Sequence, residues 1–135
     1  MVKTTIQYKG QLHCELTHEP SGSKIETDAP TDNGGLGSKF SPTDLVGAAL
    51  GSCILTTMAI VAAREKFDFT SARCEVEKEM TPLPRRIAKL AALVLMPQGL
   101  SADQRKKLES AAHTCPVHRS LHPEVHAPIE FHYQD

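Results

Sequence analysis

Apolar and polar residues alternate along three short stretches of the first thirty residues, the pattern of half-buried β-strands. The stretches cover residues 3–8, 12–19 and 23–28 and are separated by turn-forming sequences. In the second of them Leu12, Cys14 and Leu16 fall on one face, with the polar residues between them on the other. The pattern predicts an antiparallel meander.

A long stretch without charge follows, and it predicts a buried helix over about residues 42–64. Ser41 is a good N-cap because its hydroxyl can accept a hydrogen bond from an unsatisfied backbone N–H. Pro42 suits the first helical position, and Asp44 places a negative charge where the helix dipole favours it. A helix that is apolar on nearly all sides is a buried helix. Cys53 stands in its middle.

This helix is also close to the ~20 apolar residues that span a bilayer. Its composition argues against a span, because Ala, Gly, Ser and Thr are frequent and strand-like segments flank it. Gly47 and Gly51 would allow another helix to approach closely, in a membrane or in a protein core. We therefore expect a core helix and no membrane association.

The second half of the chain predicts two strands, a helix and a final strand. The strands cover residues 72–80 and 86–96, the latter with a helix as its competitor, and the last covers residues 127–133. Between them Ser101 and Gln104 form a capping box that starts a helix running to about His113. This order of elements predicts an α+β fold in a single domain, residues 1–135.

Composition narrows the possible partners. The net charge is −1, from 15 basic and 16 acidic residues, so no electrostatic feature points to nucleic acid or to a membrane surface. The chain has four cysteines, and its N-terminal residues contain no apolar signal sequence. Such cysteines are more often reduced or redox-active thiols than a disulfide framework, which favours a cytoplasmic protein.

Two cysteines are candidates for chemistry. Cys115 directly precedes Pro116, where a short helix is expected to begin, and a thiol at an N-cap has its pKa lowered by the helix end. Cys53 is expected to be buried in apolar surroundings, which would raise its pKa and make it inert. From the residues alone, Cys53 is therefore either an inert packing residue or a reactive thiol held in position by the helix.

The histidines suggest a transition-metal site as another possibility. His113, His118, His122 and His126 surround Cys115, and a spacing of four would put His118 and His122 on one helical face. Pro123 interrupts any helix there, and no second cysteine lies nearby in the sequence. We therefore expect no metal and no cofactor.

Two motifs resemble the OsmC/Ohr family, the osmotically inducible protein C and organic hydroperoxide resistance proteins. The first motif is SPTDLVGAALGSC, in which Pro42 and Cys53 keep the family spacing. The second is AAHTCPVHRSL, in which Ala112, Cys115 and Pro116 match the family element. The similarity covers essentially the whole chain in element order and is specific in these two motifs.

The resemblance implies an OsmC-like fold in which antiparallel sheets sandwich the long helix, and an intertwined homodimer with active sites at the subunit interface. It implies that Cys53 is the peroxidatic cysteine, oxidised to a sulfenic acid by an organic hydroperoxide. Cys115 would be the resolving cysteine that condenses with it to a disulfide. A small-molecule or protein-bound dithiol would then reduce that disulfide. The implied role is protection against oxidative stress.

The sequence departs from the family at the residues that activate the thiolate. Hydroperoxide reductases of the family have a Glu directly after the helix-start Pro, paired with an Arg from the N-terminal strands. Here that position is Thr43, Asp44 comes one residue later, and no Arg precedes Arg64. The supporting candidates are therefore Thr43, Asp44, Arg86 and His118. The chain is more similar to the OsmC-like branch, which leaves open a protein without efficient peroxidase activity that binds a small apolar ligand, or a transition metal through Cys115 and the histidines.

Overall fold

The first 46 residues are built on a three-stranded antiparallel sheet in the order β1-β2-β3. In this computed structural model, which describes residues 1–134, the strands are β1 (Thr4–Gly10), β2 (His13–His18) and β3 (Ser23–Asp28). Ile6 pairs with Leu16, and Leu16 pairs with Ile25, so apolar side chains share one face. The predicted meander is confirmed.

A glycine-rich loop closes on the end of β3. After a single 3₁₀ turn (Thr31–Asn33), Gly34 adopts a φ of +84°, which an L side chain rarely tolerates. Gly35 is required for space, because an added Cβ would lie 1.8 Å from the carbonyl oxygen of Ala29. The loop then returns to β3, where the Asp28 amide donates to the Phe40 carbonyl at 3.1 Å.

The long helix α1 (Pro42–Glu65) begins where its capping residues predict. The Ser41 hydroxyl accepts from the Asp44 amide at 3.0 Å, and the Asp44 carboxylate accepts from the Ser41 amide at 2.9 Å. These reciprocal bonds satisfy donors that every helix start leaves unpaired.

In a single chain this helix is buried on one side only, so its burial on all sides inside a homodimer stays a prediction. Its buried positions form one stripe: Gly47, Leu50, Gly51, Ile54, Met58 and Ala62. The opposite side is open, and Ile60 is 51 % exposed. Strand β4 (Arg73–Pro82) covers the buried side, where Gly51 lets it come close, since a Cβ added there would lie 3.1 Å from Val76 Cγ2. By length and composition alone α1 could cross a membrane, a test that core helices of soluble proteins also pass.

The second sheet has the order β4-β5-β6 and belongs to the unit that starts at Gly47. Strands β4 (Arg73–Pro82) and β5 (Arg85–Leu95) are antiparallel, so the competing helix at β5 is excluded. Strand β6 (Ile129–His132) is parallel to β5, and the expectation of purely antiparallel sheets is wrong here. Two helices intervene between β5 and β6, and such a crossover returns the chain in the same direction.

Those helices are α2 (Ala102–Ala112), which carries the predicted Ser101/Gln104 capping box, and α3 (Pro116–Ser120). The core of this unit combines side chains of α1, β5 and α2 that are fully buried, namely Leu50, Ile54, Met58, Leu90, Val94, Leu108 and Ala112. The α+β class is confirmed. The single domain over residues 1–135 stays a prediction, because the described chain divides into two compact units.

Candidate active site

The structure brings Cys53 and Cys115 together although they are far apart in the sequence. Cys53 lies half-buried on α1, and Cys115 is fully buried as the N-cap of α3. Their thiols are near enough that each shifts the pKa of the other. Both are free cysteines, so the pair is a dithiol.

The pKa of Cys53 is lowered, contrary to the sequence expectation. Burial alone would raise this pKa, but three hydrogen bonds to the sulfur outweigh it. They come from the Cys115 thiol, the Val117 backbone amide and the Thr57 hydroxyl, whose oxygen lies 4.0 Å from the sulfur. Donors of this kind favour a thiolate. Among the described residues, dipoles rather than a charged side chain lower the pKa of Cys53.

The pKa of Cys115 is raised, although its position at a helix N-cap predicted a lowered value. Its sulfur does cap α3, accepting from the His118 amide at 3.5 Å. Burial is the main cause of the increase, and the neighbouring Cys53 adds to it by hydrogen bonding and by charge. The Val117 amide at the start of α3 lowers the pKa of both thiols, and the His118 amide acts on Cys115 alone. The pair therefore consists of one thiol whose pKa is lowered, Cys53, and one whose pKa is raised, Cys115.

Two of the groups that bond to Cys53 were not identified from the sequence. Thr57 follows Cys53 by four residues, and the helical rule that such side chains are neighbours could have found it. Val117 contributes only its backbone amide, and no sequence pattern places α3 beside α1.

The supporting candidates have other contacts in the structure. Thr43 and Asp44 belong to the start of α1, where Asp44 bonds the Ser41 amide and the Thr43 hydroxyl lies 3.3 Å from that of Ser41. The Arg86 guanidinium pairs with Glu124 at 3.5 Å.

His118 contributes through its backbone rather than its ring. Its amide donates to Cys115, while the ring Nε2 donates to the Ala127 carbonyl at 2.8 Å. The imidazole is thus used to tie α3 to the segment before β6.

The alternative in which His118 and His122 share one helical face is wrong. Helix α3 ends at Ser120, so His122 lies outside it and its Nδ1 accepts from the Glu124 amide at 3.1 Å. Within residues 1–134, no three or more Cys, His, Asp or Glu side chains are grouped so that they could hold a metal ion.

An open groove of about 680 Å³ begins beside the cysteine pair. Thr57, which bonds to Cys53, is one of its lining residues, and Thr114, which precedes Cys115, is another. The groove is thus lined by neighbours of the two cysteines and by neither cysteine itself.

A second titratable cluster lies in the first unit. The His13 ring contacts Asp28 at 2.6 Å through Nδ1 and Glu26 at 3.0 Å through Nε2. Asp28 is buried and also accepts from the amide and hydroxyl of Ser38. The hydrogen bonds to Asp28 and then Glu26 raise the pKa of His13. Ser38 and then His13 lower the pKa of Asp28, and His13 and then Lys39 lower that of Glu26.

Comparison with known proteins shows a match to one family. Residues 35–130 match the family described as OsmC-like protein. An uncharacterized protein of Acinetobacter baylyi is 29 % identical over 108 residues, which are 78 % of this chain and 76 % of the relative.

Solved structures give the same result. A crystal structure of a candidate osmotic stress induced and detoxification response protein from Psychrobacter arcticus is 36 % identical, with a TM-score of 0.93 over 98 % of this chain and 96 % of that one. An organic hydroperoxide resistance protein OsmC from Legionella pneumophila is 21 % identical, with a TM-score of 0.72 over 97 % and 96 % of the two chains. The latter shows the shared fold alone.

Proposed function

This chain belongs to the OsmC-like protein family, and from that premise we propose that it reduces organic hydroperoxides with Cys53 and Cys115. The family is related to the organic hydroperoxide resistance proteins. One observation carries the proposal: the fold makes neighbours of two thiols from distant parts of the chain, and each acts on the other, with the pKa of Cys53 lowered and that of Cys115 raised. A thiolate beside a protonated thiol is the arrangement that peroxide reduction followed by disulfide formation requires.

In the first step the Cys53 thiolate attacks the terminal oxygen of the hydroperoxide. An S–O bond forms, the O–O bond breaks, and Cys53 becomes a sulfenic acid while the peroxide is reduced to an alkoxide. The alkoxide takes the proton of the Cys115 thiol and leaves as an alcohol. This transfer overcomes the raised pKa of Cys115, because an alkoxide is a far stronger base than a thiolate.

In the second step the Cys115 thiolate attacks the sulfenic sulfur. The S–S bond forms and hydroxide leaves, so two thiol groups have supplied the two electrons. A dithiol, small or protein-bound, then reduces the disulfide by thiol–disulfide exchange.

The assembly we propose is a homodimer in the cytoplasm. The exposed side of α1, with Ile60 at 51 %, supports a second copy, as do Ile6, Tyr8 and Ile25, which are exposed on the first sheet. Exposed apolar surface of this kind is typical of subunit interfaces. Two α1 helices would then bury each other's open sides.

Thiol titration tests the proposal. Protein with four free thiols is treated with one equivalent of cumene hydroperoxide, and the remaining thiols are counted. We expect a loss of two thiols per chain in the wild type and almost none in Cys53→Ser. The matched control Cys14→Ser should lose two like the wild type. Equal reactivity of wild type and Cys53→Ser would disprove the proposed mechanism.

A second candidate is an apolar-ligand binder without efficient peroxidase activity. The groove of about 680 Å³ favours it, because its volume is within the range of small-molecule sites. Unchanged thiol counts together with saturable binding of an apolar dye would support this alternative.

A further inference from the structure

A polar cavity of about 460 Å³ lies at one end of the second sheet. Arg73, Leu95 and His132 are in register across β4, β5 and β6, so β4 begins at this end and the other two strands finish there. The lining residues come from the loop before β4, from the strand ends and from the segments after β5 and β6. All of them belong to the unit that starts at Gly47, and the volume is within the range of small-molecule sites.

Two opposite charges line this cavity without neutralising each other. Among the described residues, Asp68 and Arg73 form no ion pair with each other, and Arg73 does not contribute to the pKa shift of Asp68. The pKa of Asp68 is lowered by the Thr70 amide and hydroxyl, which donate to Oδ1 at 2.9 and 2.7 Å. Its other carboxylate oxygen makes no hydrogen bond within residues 1–134. Asp68 is thus a carboxylate with an acceptor left for a ligand.

The guanidinium of Arg73 also has donors left for a ligand. Its Nη2 donates to Glu75 Oε1 at 3.2 Å, and the two side chains are well exposed, at 71 % and 59 %. An exposed pair of this kind contributes little stability, so the carboxylate of a ligand can replace Glu75. An Arg binds such a carboxylate through two parallel N–H bonds.

The rest of the lining suits a peptide group and an apolar side chain. Gln98 and Gln134 carry amides that donate and accept, and in the part of the chain that the structure describes neither has a side-chain hydrogen-bond partner. Leu95, Met96 and Pro97 supply the apolar surface. A free amino acid carries its two charges on one carbon, whereas a dipeptide has a peptide group between them. The lining therefore matches a dipeptide better than a free amino acid.

We propose that this cavity binds a dipeptide that has free ends and an apolar side chain. Asp68 accepts from the terminal ammonium, Arg73 binds the terminal carboxylate, and the two glutamine amides bond the peptide group between them. The apolar side chain lies against the surface of residues 95–97. Neither Cys53 nor Cys115 lines the cavity, so the inference does not depend on the proposed function.

Four forms of one dipeptide test the site. They are alanyl-leucine, its N-acetyl form without the ammonium, its C-terminal amide without the carboxylate, and the form blocked at both ends. Titration calorimetry gives the dissociation constants, and amide NMR shifts show where the dipeptide binds. We expect alanyl-leucine to bind once per chain at this end of the sheet, and each blocked end to weaken binding about tenfold, the loss typical of a hydrogen bond to a charged group.

Two variants each remove one charge. Asp68→Asn should weaken alanyl-leucine about tenfold and leave the N-acetyl form unchanged, because that form has no ammonium. Arg73→Gln should weaken alanyl-leucine equally and leave the C-terminal amide unchanged. Glu75→Gln should bind at least as tightly as the wild type, because Glu75 competes for Arg73. The matched controls Glu19→Gln and Lys3→Gln remove the same charges from the first unit and should bind like the wild type.

The inference is overturned if none of the four forms binds saturably, or if free and blocked forms bind equally. Weakening of all four forms alike by Asp68→Asn or Arg73→Gln would also overturn it, because the site would then not recognise the two ends. Thiol oxidation by cumene hydroperoxide should be the same in these variants as in the wild type. Failure of the dipeptide site and failure of the proposed function can therefore be told apart.

Discussion

The two titratable clusters of this protein stabilise charge in opposite ways. Around His13 opposite charges take part in every shift: hydrogen bonds to Asp28 and then Glu26 raise the pKa of the imidazole, His13 and then Lys39 lower that of Glu26, and Ser38 and then His13 lower that of Asp28. Around Cys53 no charged side chain takes part among the described residues, and neutral donors lower the pKa of the thiol. Charged side chains thus take part where the loop at Ser38 is attached to β3, whereas neutral hydrogen-bond donors surround the Cys53 sulfur, which is proposed to react.

The difference explains how a thiolate can form without the Arg–Glu pair that the family resemblance implies. Backbone amides at the start of α3 are fixed in position by the fold, so they stabilise the anion without bringing a counter-ion that would occupy the proposed peroxide site. At His13 no substrate needs room, so ion pairs can form there. They hold β2, β3 and the loop at Ser38 together.

The largest effect should come from comparing two replacements of Cys115. Cys115→Ser and Cys115→Ala both abolish disulfide formation, but only the serine keeps a donor beside Cys53. We expect the alanine variant to have an about tenfold smaller thiolate fraction at Cys53 near neutral pH, the effect of losing a hydrogen bond to a charged group. The pH dependence of iodoacetamide alkylation measures this thiolate fraction, with both replacements made in the Cys14→Ser protein. Identical alkylation profiles would show that Cys115 does not support the thiolate.

The His13 cluster should affect stability within a defined pH range. The raised pKa of His13 contributes stability that is present below its ordinary value of 6.5 and is lost as the pH rises through the raised value. The lowered values of Asp28 and Glu26 contribute stability that is present above about 4.5 and is lost as the pH falls through them. The stability lost in His13→Gln should therefore be greatest between these limits. Urea unfolding of both proteins across pH measures it, and a pH-independent difference would contradict the assignment.

A smaller effect is expected at Thr57. Its hydroxyl is 4.0 Å from the Cys53 sulfur, long for a hydrogen bond, so Thr57→Val should slow cumene hydroperoxide reduction about two- to threefold, at the weak end of hydrogen-bond energies. Thr57→Ser keeps the hydroxyl and should stay close to wild type. Stopped-flow oxidation under single-turnover conditions separates them. Equal slowing in both variants would indicate a packing role instead.

The smallest expected effect is that of salt, and it tests most directly whether charges or neutral donors shift the pKa values of His13 and Cys53. Raising the salt concentration to about 1 M shortens the screening length to about 3 Å, which should bring the pKa of His13 down toward its ordinary value. The pKa of Cys53 should hardly move, because its donors are neutral. Histidine NMR titration and thiol alkylation at two salt concentrations give both values. A thiol pKa that rises with salt would reveal a cation from the second subunit.

The sequence predicted those parts of the molecule that local signals determine. Ser41, Pro42 and Asp44 marked the start of α1, and Ser101 with Gln104 marked that of α2, because a cap needs only its immediate neighbours. The two cysteines were found through their motifs.

What depends on long-range placement was beyond the sequence. The pKa of Cys53 is lowered because Cys115, the Val117 amide of α3 and Thr57 bond to its sulfur, and that of Cys115 is raised by burial and by the neighbouring Cys53, contacts that no spacing encodes. The parallel direction of β6 depends on the path of the crossover, and the open side of α1 is buried only if another chain covers it. Hydrophobic pattern alone does not distinguish a core within one chain from a core between two.

The sulfur of Cys115 has two tasks that compete. In the dithiol it accepts from the His118 amide and so completes the first turn of a five-residue helix. A disulfide would draw the same atom toward Cys53 and remove the anion that the Val117 amide binds. Oxidation would then weaken the start of α3, whose His118 ring bonds to Ala127 just before β6. The oxidised protein would thus present a different backbone surface at this helix, and a reductant could recognise that surface before it touches the sulfur.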